Sequence, residues 1–203
     1  MAELPFGAVD NLIFAELSYC DFSNAAAQMP GRLSVLRAHL AGGVKQPDDE
    51  LLNRLSASAR YGDVVAYHFV DHFDPVQTLQ FAAVTLLLPD GTAYVSFRGT
   101  DSTLVGWKED FNLAFATPVP AQLEAVRYLK QVADVLACPL RVGGHSKGGN
   151  LAVYAAAFVG EDVQERILNV FNNDGPGHDL ATLESAGYRR IEKKLQTFIP
   201  KSS

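Results

Sequence analysis

The chain has 203 residues, enough for one domain with a sizeable core. A hydrophobic share of 48% and a charged share of 20% are ordinary for a globular protein. The net charge of −6, with no basic run, excludes a general affinity for nucleic acid or an anionic membrane surface.

The two cysteines, Cys20 and Cys138, lie far apart and show no C-x-x-C spacing. They are expected to be buried thiols rather than a disulfide. Metal-ligand spacing is absent as well, so no metal and no cofactor is expected. The first twenty residues carry Glu3 and Asp10 and lack a basic segment ahead of an apolar one, which does not match a signal peptide. No apolar run reaches the roughly 18 residues that span a bilayer, so no integral membrane segment is expected. A cytoplasmic location is the resulting expectation.

Residues 1–60 read as a helical segment packed on the main domain. Val9, Leu12, Ile13 and Leu17 recur at helical spacing behind Asp10 and Asn11. The stretch 47–61 opens with acids, which suit a helix N-terminus. "MPGRL" and "AGGVKQPDD" interrupt these helices. Residues 61–203 read as the core of the same single domain, and the pattern there turns to strands. "DVVAYHFVDHF" is rich in β-formers, and alternation explains His68 and His72. "TLQFAAVTLLL" and "AYVSFRG" flank Pro89-Asp90-Gly91 and predict a hairpin.

A polar-aromatic loop follows, then an amphipathic helix over 121–137 and a short strand, "PLRVGGH". A second helix, "GGNLAVYAAAFVG", leads to the strand "RILNVFNND", closed by Gly175-Pro176-Gly177. Residues 179–194 read as helical and "LQTFIP" as a last strand. Strand and helix alternate from residue 90 onward, which predicts a three-layer α/β sandwich on a mainly parallel sheet. No element covers the last strand, so the sheet reads as unfinished at its C-terminal edge and the chain as the front part of a longer fold.

Between the strand at 139–145 and the following helix lies Gly144-His145-Ser146-Lys147-Gly148, a G-x-S-x-G motif. The pentapeptide alone is a weak signal. Its setting matches a nucleophile elbow: a strand leads in, a helix leads out, and the residues two before and two after the serine are glycine. The helix N-terminus turns its positive end toward Ser146 and toward any developing oxyanion. A phosphate loop is disfavoured, since G-x-x-x-x-G-K-S/T is absent.

A working serine needs an acid and a histidine, in the chain order Ser, Asp/Glu, His. Asp174 ends a strand at the edge where ligands gather in such sheets, and it is the best acid present. The competing reading makes it an Asx turn in "DGPG". His178, four residues on, is too cramped to be held by Asp174 and still reach Ser146. His145 adjoins Ser146 but points away from it and is expected to pack beside the elbow. No convincing base follows Ser146.

Upstream, Arg98-Gly99-Thr100, followed by Trp107 and Asp110, resembles a segment of the class 3 (fungal-type) lipases. "GHSKGGNLA" resembles their elbow. The wider set "QFAAVT", "FRGTD", "GWKEDF", "GHSKGGNLAVYAA", "NNDGPG" and "IPKSS" is similar to an uncharacterised bacterial α/β-hydrolase family related to those lipases. The likeness covers roughly residues 60–203 and most of 1–60. It implies an α/β-hydrolase fold, with Thr100 and the Lys147 backbone N–H forming the oxyanion hole. It implies a lid position at Leu104, Val105 and Trp107, and a catalytic histidine beyond residue 203. Arg98 and Asp110 read as structural anchors behind the oxyanion loop.

The expectation is therefore a serine hydrolase of carboxylic esters, with lipid ester as the weaker choice of substrate. Ser146 and Asp174 would be catalytic. The alternatives are an inactive hydrolase-fold binding or scaffold protein, and an acyltransferase using the same serine. Oligomeric state is not legible.

Overall fold

The fold is known from a computed structural model, which describes residues 4–40, 46–100 and 118–201. The readings at Leu104, Val105, Trp107 and Asp110 lie outside these residues.

Among the described residues, seven strands form one sheet in strict chain order. They are β1 (Gly31–Arg32), β2 (Val65–Asp74), β3 (Leu79–Leu87), β4 (Ala93–Phe97), β5 (Leu140–His145), β6 (Ile167–Asn173) and β7 (Leu195–Phe198). The first four pair antiparallel, and β4 to β7 pair parallel. The hairpin expected around Pro89-Asp90-Gly91 joins β3 to β4, with Gly91 at φ 81°. The parallel half is the part whose strands alternate with helices. Between β2, β3 and β4 the turns are too short to hold a crossover, whereas β1 reaches β2 through residues 33–64. The mainly parallel arrangement expected from the sequence is thus that of the C-terminal half.

Each face of the sheet carries its own core. On one, Ala93, Val95 and Phe97 of β4 meet α4 (Pro120–Val135) and α5 (Lys147–Phe158). On the other, Tyr94 of the same strand meets Phe14 of α1 (Ala8–Leu17), in a cluster that also takes in residues of α2 (Leu33–Leu40) and α3 (Gln46–Ala57). The alternation of β4 serves both layers because side chains switch face at each residue. Among the described residues the remaining α-helices are short: α6 (Glu161–Arg166), α7 (Leu180–Glu184) and α8 (Ala186–Ile191).

The helix expected over 179–194 is broken at Ser185, which adopts extended backbone (ψ 147°) and caps α8 by accepting from the Tyr188 N–H. Gly187 explains the break, since a Cβ there would lie 1.8 Å from the Ala157 carbonyl oxygen. The chain bends so that α8 can press directly on α5.

Both cysteines are thiols, Cys20 buried and Cys138 half-buried. Among the described residues no helix is long and apolar enough to cross a membrane, and no group of side chains could hold a metal ion.

Candidate active site

Ser146 sits at the turn between β5 and α5 with φ 54° and ψ −130°. Positive φ is costly for a side chain with a Cβ, and such strain gathers at functional sites. The turn is locked on three sides. The Ser146 N–H donates to the Asn173 carbonyl at 2.9 Å, and the Ser146 carbonyl accepts from Gly149 N at 2.8 Å and Asn150 N at 3.4 Å.

The flanking glycines are dictated by contact. A Cβ on Gly148 would lie 2.1 Å from the Phe97 carbonyl oxygen, and one on Gly144 would lie 2.4 Å from Gly148. The elbow therefore packs backbone to backbone against the end of β4.

That contact brings in the oxyanion loop. Gly99 lies two residues past the end of β4, and a Cβ there would lie 3.3 Å from Ser146 Cβ and 2.7 Å from the His145 carbonyl oxygen. Thr100, the next residue, is half-buried. Arg98 holds the base of the loop. Its guanidinium donates to both Asp71 carboxylate oxygens, at 2.9 and 3.0 Å, and its N–H donates to the Ala82 carbonyl at 2.9 Å. The acid that anchors Arg98 comes from β2, a partner that no motif announces.

Lys147 opens α5, so its N–H belongs to the group that points out of the helix end toward an anion. Its side chain runs the other way and is 2% exposed, with Nζ donating to the Gln80 carbonyl at 3.0 Å. The lysine thus ties the first turn of the helix to β3.

Asp174 ends β6 beside the elbow. Its carboxylate is exposed, its φ is 55°, and its N–H donates to the Phe198 carbonyl at 2.8 Å. The left-handed backbone is what the turn reading calls for, while the position at the sheet edge is what the acid reading calls for. Both features are present in one residue.

All five histidines of the chain are described, and among the described residues none hydrogen-bonds Ser146 or Asp174. His178 is held in the wrong sense for a base. The Asn150 amide is oriented by its Oδ1, which accepts from Gln122 Nε2 at 2.9 Å, and by its Nδ2, which donates to the carbonyls of Pro176 and Gly177. That same Nδ2 faces His178 Nδ1 at 3.4 Å, so Nδ1 is the acceptor and Nε2 carries the proton of the neutral ring. A triad histidine needs the reverse. Burial pushes the His178 pKa down, against an opposing pull from Asp179, so the ring is kept neutral.

The residues that sequence reasoning passed over are asparagines. Asn11 of α1 donates to Asn173 Oδ1 at 2.7 Å and accepts from Asn173 Nδ2 at 3.2 Å and the Tyr94 hydroxyl at 2.7 Å. Asn173 also donates to the Gly144 carbonyl at 3.0 Å. Asn11 is buried on α1 beside the equally buried Asp10, and in the sequence it reads only as a polar residue near a helix start.

The Mbeg1-like family model matches residues 55–203. The chain belongs to the Mbeg1-like family. No curated protein matches it. Among solved structures, the crystal structure of M37 lipase is similar over 96% of this chain and 68% of its own, with a TM-score of 0.59 and 12% identity. At that identity the likeness is one of fold: the Mbeg1-like chain has a lipase-like α/β-hydrolase architecture.

Proposed function

We propose that this Mbeg1-like protein is a serine hydrolase of carboxylic esters. Ser146 Oγ attacks the ester carbonyl, and the backbone N–H groups of Thr100 and Lys147 receive the oxyanion. The acyl-enzyme is then released by water. The observation that carries this reading is the elbow itself, a serine at φ 54° with the Gly99 loop pressed against its Cβ. The lipase-like fold supports it, and makes a lipid ester a reasonable substrate.

Asp174 is the proposed acid because it is the carboxylate at the end of the strand adjoining the elbow. The base is proposed to be a histidine beyond residue 203. Within the chain, His68 is stacked on Tyr128 at 5.4 Å, His145 meets the Tyr19 hydroxyl and His178 is turned to Asn150.

A fluorophosphonate probe tests this. It is applied to the chain as it stands, to the chain with millimolar imidazole as a replacement base, to a version carried past residue 203, and to Ser146→Ala of each. Labelling that depends on Ser146 in any arm is the expected result. Its absence from every arm would overturn the hydrolase reading in favour of a non-catalytic binding module.

A further inference from the structure

Four groups from three parts of the chain converge beside Ser146. A Cβ built on Gly99 would lie 2.2 Å from the Tyr19 hydroxyl oxygen, 2.7 Å from the His145 carbonyl oxygen and 3.3 Å from Ser146 Cβ. The Tyr19 hydroxyl therefore occupies the space next to the oxyanion loop that any side chain at residue 99 would take. The phenol oxygen is also 3.0 Å from His145 Nδ1.

The backbone that presents Tyr19 is fixed. Its N–H donates to the Glu16 carbonyl at 3.0 Å and that of Cys20 to the Leu17 carbonyl at 3.2 Å, while the neighbours Ser18 and Cys20 are each 1% exposed. The turn after α1 is anchored in the core, with only the ring reaching the elbow.

Resting on the reading of Ser146 as nucleophile, we propose that the Tyr19 hydroxyl is a third donor to the oxyanion, and that His145 orients it. A phenol has one proton and two lone pairs. When His145 Nδ1 carries its proton and donates to the phenol oxygen, the phenol proton is directed away from His145. The Ser146 adduct is the anion within its reach. As the bond from Ser146 Oγ to the carbonyl carbon forms, the carbonyl electron pair moves onto oxygen and accepts from the Tyr19 O–H. No proton leaves Tyr19, whose contribution is a charge-assisted hydrogen bond. Tyr19 would thus be catalytic and His145 a positioning residue.

A carboxylate product presents the same oxygen to the same donors without needing a base or a nucleophile. Octanoate binding is therefore measured by calorimetry on the wild type, Tyr19→Phe, His145→Leu, His145→Asn and Ser146→Ala, each checked for an unchanged melting temperature. Loss of one hydrogen bond to a charged group predicts about 10- to 100-fold weaker binding by Tyr19→Phe. His145→Leu should weaken it as well. His145→Asn, whose amide N–H stands near the Nδ1 position, should restore it, a rescue that a space-filling role would not give. The loss caused by Tyr19→Phe should persist in the Ser146→Ala background. Equal affinity of Tyr19→Phe and wild type, or no binding by the wild type, overturns the proposal. Tyr19-dependent binding without Ser146-dependent probe labelling would sink the hydrolase reading alone.

Discussion

Asn11 and Asn173 exchange side-chain hydrogen bonds across 162 residues of chain, at 2.7 and 3.2 Å, in the buried layer beneath the elbow. The same Asn173 accepts the Ser146 N–H on its backbone carbonyl and donates to the Gly144 carbonyl from its side chain. The first helix therefore grips the strand that grips the nucleophile. Replacing Asn173 by Ala leaves the Asn11 amide buried and short of a partner. The expected cost is about 1–3 kcal/mol. In a double-mutant cycle with Asn11→Ala, read by urea denaturation, the two changes should couple by about 0.5–3 kcal/mol. Strict additivity would show that the pair is geometric coincidence.

The glycines of the elbow differ sharply in what they tolerate. Gly148→Ala places a methyl 2.1 Å from a backbone oxygen, so the turn must open. The expected result is loss of the native fold, or of Ser146 reactivity where the fold survives. Gly177→Ala, with nothing within 4 Å of its Cβ position, serves as the neutral control. Thermal melts of the two proteins decide the matter.

Asp174 allows its two roles to be separated. Its φ of 55° costs a residue with a Cβ about 1–2 kcal/mol, least for Asn and Asp. Asp174→Gly should be as stable as the wild type, and Asp174→Ala less stable by about 1 kcal/mol. If the carboxylate orients the base, Asp174→Asn in a version carried past residue 203 keeps the turn while turnover falls by about 10⁴-fold. Unchanged turnover in Asp174→Asn would reduce the residue to a turn.

Acid should weaken the joint between α1 and residues 60 and 61. Burial alone would raise the Asp10 pKa. The Arg60 guanidinium, the Gly7 N–H and the Tyr61 hydroxyl outweigh it and hold the carboxyl below its ordinary value of 3.8. A depressed carboxylate contributes stability that is whole above the ordinary value and is lost as pH falls through the folded one. Wild type and Asp10→Asn should therefore converge in stability below pH 3.8. His178 adds an earlier loss. Its lowered pKa means that the unfolded chain takes up the proton first, so stability declines as pH drops below 6.5. Denaturation midpoints from pH 8 to pH 3 should show both steps; burial lowers the His68 pKa as well, so His178→Asn should shrink the first step without abolishing it and leave the second unchanged.

The fold was legible wherever one local rule governed one element. Alternation marked β2 to β4, and the glycine pattern marked the turn from β5 into α5. The break at Ser185 was not legible, because it answers to a carbonyl on α5 that Gly187 must clear. In the site, Ser146 was legible because strain leaves a local trace in flanking glycines. Asp71, Asn11 and Tyr19 leave none. Each acts on a residue far along the chain, and its own surroundings read as an ordinary strand or helix. Arg98 illustrates the difference: its anchoring role could be inferred, but not the β2 carboxylate that performs it.

The grip of Asn11 on Asn173 has a consequence for the order in which the protein comes into being. A contact spanning 162 residues closes late, after the loop entropy between its ends has been overcome. On a ribosome, α1 emerges before β6 and must wait for it before the amides can meet. Until then the turn holding Ser146 lacks the support beneath it. The strained serine would acquire its geometry only once β6 has joined the sheet, which keeps an immature chain from presenting it.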